Sequence, residues 1–171
     1  MMWKISILFL LFSLAIINSY SQESRKELKE RQKIENQKKT EALVNTKEFV
    51  FTARTALPQG GRSVNLTTRS NFMKFHPDLI ESEMPYYGRA YSGAGYGGDS
   101  GLKFAGKPEK YTVVKEMKYY QIHAEVKSDN DTYKISLSVG FEGSTSLTVI
   151  SNNRSTISYQ GDITAPEQTA K

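Results

Sequence analysis

The sequence predicts a mainly β domain: an antiparallel meander that closes, or nearly closes, a small barrel, preceded by one charged helix. Three observations carry this. In the second half, apolar residues recur at every other position, first Tyr120, Ile122, Ala124 and Val126, then Tyr133, Ile135, Leu137, Val139 and Phe141. Side chains alternate across a strand, so each run buries one face. Turn-forming residues separate the runs at short, regular intervals, at Ser128 to Asp131, Glu142 to Ser144 and Asn152 to Arg154, which is the spacing of a meander with one buried face. The chain also has no cysteine among its 171 residues. Its stability must therefore come from ordinary burial, and its length suffices for one core.

The N-terminus comes first. Met1 to Lys4 is a short basic start, and Ile5 to Ile17 is an apolar run broken only by Ser6 and Ser13. Ser19 and Ser21 follow as small residues at the positions a signal peptidase reads. The run has signal-peptide length and is shorter than the roughly 20 residues a membrane span needs. Residues 1–21 are therefore expected to be a cleaved signal peptide, leaving no stable membrane span and an N-terminus at Gln22. With no cysteine after the cut, the protein is not expected to be a lipoprotein. The formal charge is +5, but the signs are mixed along the chain, with no basic block of the kind that binds nucleic acid.

Residues 22–46 are dense in Lys, Arg, Glu and Gln, with no Gly or Pro; these are good helix formers. Apolar positions are sparse until Ala42, Leu43 and Val44. This pattern predicts a solvated helix or spacer whose last turns alone dock on the domain, without the sustained heptad of a coiled coil. Residues 47–164 form the β-rich domain and 165–171 a disordered tail. Phe49, Phe51 and Ala53 alternate with Val50, Thr52 and Arg54 before a turn at Pro58, Gly60 and Gly61. Val64 to Thr67, Asn71 to Phe75 and Leu79 to Met84 are further strand candidates, the last two divided by His76-Pro77-Asp78. With Leu147 to Ile150 and Ile157 to Tyr159, the total is about eight strands, enough for a small barrel. A half-barrel or a two-sheet sandwich would also protect the edges.

Together the signal, the charged helix and three motifs resemble the domain of unknown function 4251 (DUF4251) family of exported proteins of Gram-negative bacteria. The motifs are "FVFTARTALPQGG" from Phe49, "MPYYGRAY" from Met84 to Tyr91, and "SYQGDI" from Ser158. The resemblance covers roughly Lys38 to Ile163, and Met84 stands where family members typically carry leucine. It implies a β-rich, lipocalin-like fold in the periplasm or outer envelope. It implies no activity, so no catalytic residue is carried over and no cofactor is expected.

The segment Glu83 to Phe104 is the most unusual in composition, rich in tyrosine and glycine around Arg89. Two familiar patterns fall inside it. Gly98-Asp99-Ser100-Gly101 resembles the surroundings of a serine-protease nucleophile, but only His76 precedes it, and Asp78 and Asp99, the aspartates between, lack the spacing of that triad. Gly93 to Gly98 matches Gly-x-Gly-x-x-Gly without the strand and helix that would cradle a dinucleotide. His76 and His123 cannot by themselves build a zinc site. Asp129 and Asp131 read as turn residues rather than calcium ligands, and Glu81 and Glu83 as a surface pair.

No metal site is expected. Tyrosine rings offer an apolar body with a polar tip, and arginine offers a planar cation. Pro85, Tyr86, Tyr87 and Gly88 are therefore expected to anchor the loop. Arg89, Tyr91 and Tyr96 are expected nearer a ligand, either a small amphipathic molecule or a glycan. The alternatives are an envelope interaction domain with a filled core, and a hydrolase whose site the sequence does not display.

Overall fold

A computed structural model of the chain describes residues 2–67, 71–91, 101–128 and 131–166, with side chains from residue 24 onward. The chain divides into two compact units, 1–36 and 37–171. The first is the greater part of one helix, α1 (Met2–Thr46), on which Leu28 and Ile34 stand exposed among charged side chains. Among the described residues, no helix is long and apolar enough to cross a membrane.

The second unit begins with the last turns of α1, where burial starts. Val44 is wholly buried in the core shared with the strands, and Thr40 is nearly so. Glu41 pairs with Lys115 at 2.9 Å. Lys47 ends the helix in the left-handed conformation, with φ of 60°. Its N–H donates to the Val44 carbonyl, and its ammonium lies over the Tyr111 ring.

Ten strands follow: β1 (Phe49–Pro58), β2 (Val64–Asn65), β3 (Phe72–His76), β4 (Leu79–Met84), β5 (Leu102–Gly106), β6 (Pro108–Lys115), β7 (Tyr119–Ser128), β8 (Asp131–Gly140), β9 (Ser144–Ser151) and β10 (Ile157–Thr164). All pair antiparallel in one nearly closed, barrel-shaped sheet of order β5-β4-β3-β1-β10-β9-β8-β7-β6, with β2 beside β1. The sheet thus has two more strands than the alternation suggested. The two beyond that count are β5 and β6, since Val64 to Thr67 already covers the short β2. β6 carries the run Lys-Tyr-Thr-Val-Val-Lys, which has no regular apolar–polar alternation to mark it.

The two ends of the sheet are consecutive in the chain, separated only by Lys107. β5 bonds to β4 and β6 to β7, so one kinked run supplies both margins of the barrel. Across the interior, Phe104 of β5 stacks on Tyr133 of β8, with ring centroids 4.0 Å apart.

Alternation then fills the inside. Phe49, Phe51, Met73, Ile80, Ile122, Ile135, Leu137, Leu147 and Tyr159 are all 2% exposed or less. β1 carries a bulge between Ala53 and Thr55, opposite Gly161 of β10. Such a bulge turns the strand and sharpens its twist. A methyl on Gly161 would run into the Thr52 carbonyl and the Ala53 backbone, so glycine is required by close approach. Arg54, thrown outward at the bulge, pairs with Asp162, and the Asn71 amide bonds to the Ala53 and Leu66 carbonyls.

In β8, Ile135 and Leu137 face the core while Lys134 and Ser136 face outward. Leu137→Ala should cost about 2–5 kcal/mol. Ser136→Ala, which gives up a hydrogen bond from Gln121, should cost no more than about 1.5 kcal/mol. Urea midpoints that shift equally for the two variants would contradict this register.

The helix tie is pH-dependent. The hydrogen bond and charge of Lys115 hold the Glu41 carboxyl below its ordinary value. A depressed folded pKa contributes stability that is present above the unfolded value and lost as pH falls through the folded one. The small stability difference between the native chain and Glu41→Gln should therefore be present at neutral pH. It should diminish as pH falls below the ordinary carboxylate value of about 4.3 and vanish once pH is below the lower folded value. Thermal melts across that range read it, and a difference that persists into acid would place its origin elsewhere.

Candidate functional site

Residues 85–91 leave the end of β4 and cross to the turn between β9 and β10. The backbone is fixed there on both sides. The Tyr91 N–H donates to the Asn153 carbonyl at 2.8 Å, and the Ser155 N–H donates to the Arg89 carbonyl at 2.9 Å. The Arg89 N–H donates to Ser155 Oγ at 3.0 Å, and Ala90 forms an antiparallel bridge with Arg154.

Below this strip two tyrosines act as posts. Tyr86 is buried, and its hydroxyl lies 2.9 Å from the Arg89 carbonyl, the Ser155 carbonyl and Ser155 Oγ. Its one proton serves one carbonyl at a time, and Ser155 can donate to it in return. Tyr159 of β10 donates to the Pro85 carbonyl at 2.8 Å. Burial pushes the Tyr159 phenol up, which keeps it a neutral donor.

Arg154 adds a third tie. Its guanidinium lies 5.2 Å from the Tyr86 ring centroid, and it donates to the Gly101 carbonyl at 3.0 Å. The start and the far end of the connection from β4 to β5 are thus held by one turn. At Gly88 a methyl would overlap the Tyr86 hydroxyl and Ser155 Oγ.

Of the expected anchors, Tyr86 is buried, the Pro85 carbonyl is bonded and Gly88 is closely approached, while Tyr87 is 39% exposed. Arg89 is exposed and Tyr91 is 70% exposed. Both stand on the strip, two residues apart and open to solvent. Tyr96 lies outside the described residues, as do Gly93 to Gly98, Asp99 and Ser100.

The other candidates are scattered. His76 ends β3, 3.4 Å from Glu48, at the opposite end of β4 from Met84. His123 is exposed on the outer face of β7. Asp131 accepts the Thr132 and Asn152 N–H groups, and Asp129 is outside the described residues. Glu81 pairs with Lys74. Among the described residues, no group of three His, Asp or Glu side chains is placed to hold a metal.

The sequence reading did not find Arg154, Ser155 or Tyr159 as partners of the strip. It also missed an outer-face cleft of about 540 Å³ across β6 to β9. Of the first set only Tyr159 had a signal, the pairing of "MPYYGRAY" with "SYQGDI" in one family pattern; Arg154 and Ser155 lie outside it, and the cleft needs the strand register.

Gly88→Ala should lower stability by about 1–3 kcal/mol, as overpacking does, whereas Tyr91→Ala should leave it within about 0.5 kcal/mol. Thermal melts of the two variants test this, and equal losses would mean that the exposed ring is also a packing element.

The family model described as "Domain of unknown function (DUF4251)" matches residues 31–163. Three solved chains match the structure. One is the crystal structure of a DUF4251 family protein from Bacteroides eggerthii. It is 14% identical, with a TM-score of 0.60 over 76% of this chain and 87% of that one, a likeness of fold alone. No curated protein matches the chain.

Proposed function

The chain belongs to the DUF4251 family, and on that premise we propose that it is an exported, non-enzymatic binding module of the cell envelope or periplasm. Its ligand is a small amphipathic molecule or a glycan, held on the strip of residues 85–91. The observation that carries the reading is the contrast within that strip. Its backbone is bonded to residues 153–155 and stands on the Tyr86 and Tyr159 posts, while Arg89 and Tyr91 project into solvent.

Ordering such groups in advance removes much of the entropy that binding would otherwise cost. A tyrosine ring offers an apolar face with a polar tip, and arginine adds a planar donor array for hydroxyl, carboxylate or phosphate oxygens. The export part rests on the basic start, the apolar run Ile5 to Ile17 and the small residues Ser19 and Ser21. The lipocalin-like part of the reading changes in one respect. Large side chains occupy the interior of the barrel, so the ligand sits on the rim rather than inside. The same filled interior favours a second reading, an envelope interaction domain without a small ligand.

Saturation-transfer NMR with soluble oligosaccharides and with single-chain amphipaths separates the two. The binding reading expects transfer from the Tyr91 ring to one of these classes. It also expects binding to weaken roughly tenfold or more in Tyr91→Ala, as the loss of a well-placed aromatic contact does, with an unchanged melting temperature. Absence of transfer to either class, or native binding by Tyr91→Ala, overturns it in favour of the interaction domain.

A further inference from the structure

The strand register assembles a second feature, on the outer face of the sheet and independent of the rim. Pairing places Thr112 of β6 beside His123 of β7, His123 beside Ser136 of β8, Ser136 beside Thr148 of β9, and Thr148 beside Ser158 of β10. One step along the strands, a parallel row runs Lys110, Glu125, Lys134 and Ile150. Apart from Ser158, these two rows line the cleft of about 540 Å³, within the roughly 300–1,000 Å³ of small-molecule sites.

Its chemistry is uneven in a useful way. Ile150 occupies an outward position, where a solvated sheet normally carries a polar residue, and is 47% exposed. The threonine methyls and the aliphatic stems of Lys110 and Lys134 extend that apolar wall. No tyrosine, tryptophan or phenylalanine lines the cleft, so it lacks the aromatic platform that suits a sugar ring.

Charge sets the polarity. Glu125, the one carboxylate of the cleft, faces Lys110 at 3.6 Å. Lys134 makes no ion pair among the described residues. Ser136 Oγ accepts from Gln121 Nε2 at 2.9 Å, and a hydroxyl that accepts in this way keeps its own proton to donate. An ammonium and a hydroxyl proton two residues apart on one strand face form an acceptor-seeking pair beside an aliphatic wall.

We propose that this cleft is a binding site for a free, single-chain amphipath with an acidic head. The head meets the Lys134 ammonium and the Ser136 hydroxyl, and the chain lies along Ile150 and the threonine methyls.

Decanoate below its micelle concentration is the probe, and backbone-amide NMR on the full chain the readout. Saturable shifts confined to residues 123–125, 134–136 and 148–150 are expected. Lys134→Met, which keeps the aliphatic stem, should weaken binding roughly tenfold, the fold-change of one lost charge-assisted hydrogen bond. Lys118→Gln, which removes a cation from the turn between β6 and β7, should leave it unchanged.

Decanol should bind at least tenfold more weakly than decanoate. Equal binding of the two would overturn the acidic-head assignment. Shifts centred on residues 86–91, or none, would overturn the cleft itself, and the former would leave the rim reading standing. Lys134-dependent co-sedimentation with phosphatidylglycerol vesicles, without binding of free decanoate, would replace the free ligand by a membrane surface and likewise defeat the proposal.

Discussion

The pairing of β1 with β10 joins what would otherwise be two separate antiparallel meanders, β1 to β5 on one side and β6 to β10 on the other. Eight residue pairs run from Val50 with Thr164 to Pro58 with Ile157, so strands from opposite ends of the domain sequence are neighbours in the sheet. Ordering so long an intervening chain is entropically costly. The seam is accordingly dense in specific contacts: Phe51 and Tyr159 fully buried, Gly161 against the bulged backbone, and Arg54 on Asp162. With the two halves joined there, Leu102 to Lys115 can bond to β4 with its first part and to β7 with its second, and the barrel nearly closes.

That seam also supplies the support of the rim. Tyr159 packs within β10 and holds the Pro85 carbonyl, so the strip of residues 85–91 is anchored by the same strand that unites the sheet. Arg154 and Ser155, in the turn leading into β10, complete the hold. A change that loosens β10 would therefore reach the strip without touching it. The converse coupling is weaker, because Tyr91 and Arg89 are exposed and their removal opens no space in the core.

Much of this was legible in the sequence where periodicity and burial coincide. The inward sets Tyr120 to Val126 and Tyr133 to Val139 are spelled out by strict alternation, and the turn residues mark where the chain reverses. β6 escaped because an exposed margin need not alternate: Val113 and Val114 are adjacent and both exposed. The roles of Gly88 and Gly161 were not legible as contacts, because the atoms that exclude a methyl depend on how the Tyr86 ring folds back and on Ser155 and Thr52, distant in sequence. Gly161 and Thr52 each lie in a motif that resembles the family, whereas Ser155 lies outside all three. Composition alone pointed to the tyrosines, but not to which would be buried; Tyr86 and Tyr87 are neighbours with opposite exposure.

The division between the rim and the outer cleft follows from how small barrels spend their interior. A barrel of this size has room inside for side chains or for a ligand, and here Phe49, Met73, Leu137 and Tyr159 take that room. Recognition must then use surfaces that the inward pattern does not claim. Two such surfaces have ordered geometry. The strip is tied by its carbonyls and N–H groups to residues 153–155 and to Tyr86 and Tyr159, and the floor of the cleft is the sheet itself. The first presents rings and a guanidinium, and the second an aliphatic wall with an ammonium. A glycan suits the rings of the first and not the aliphatic wall of the second, whereas an amphipath could meet either, so for that class the two surfaces are separated by position.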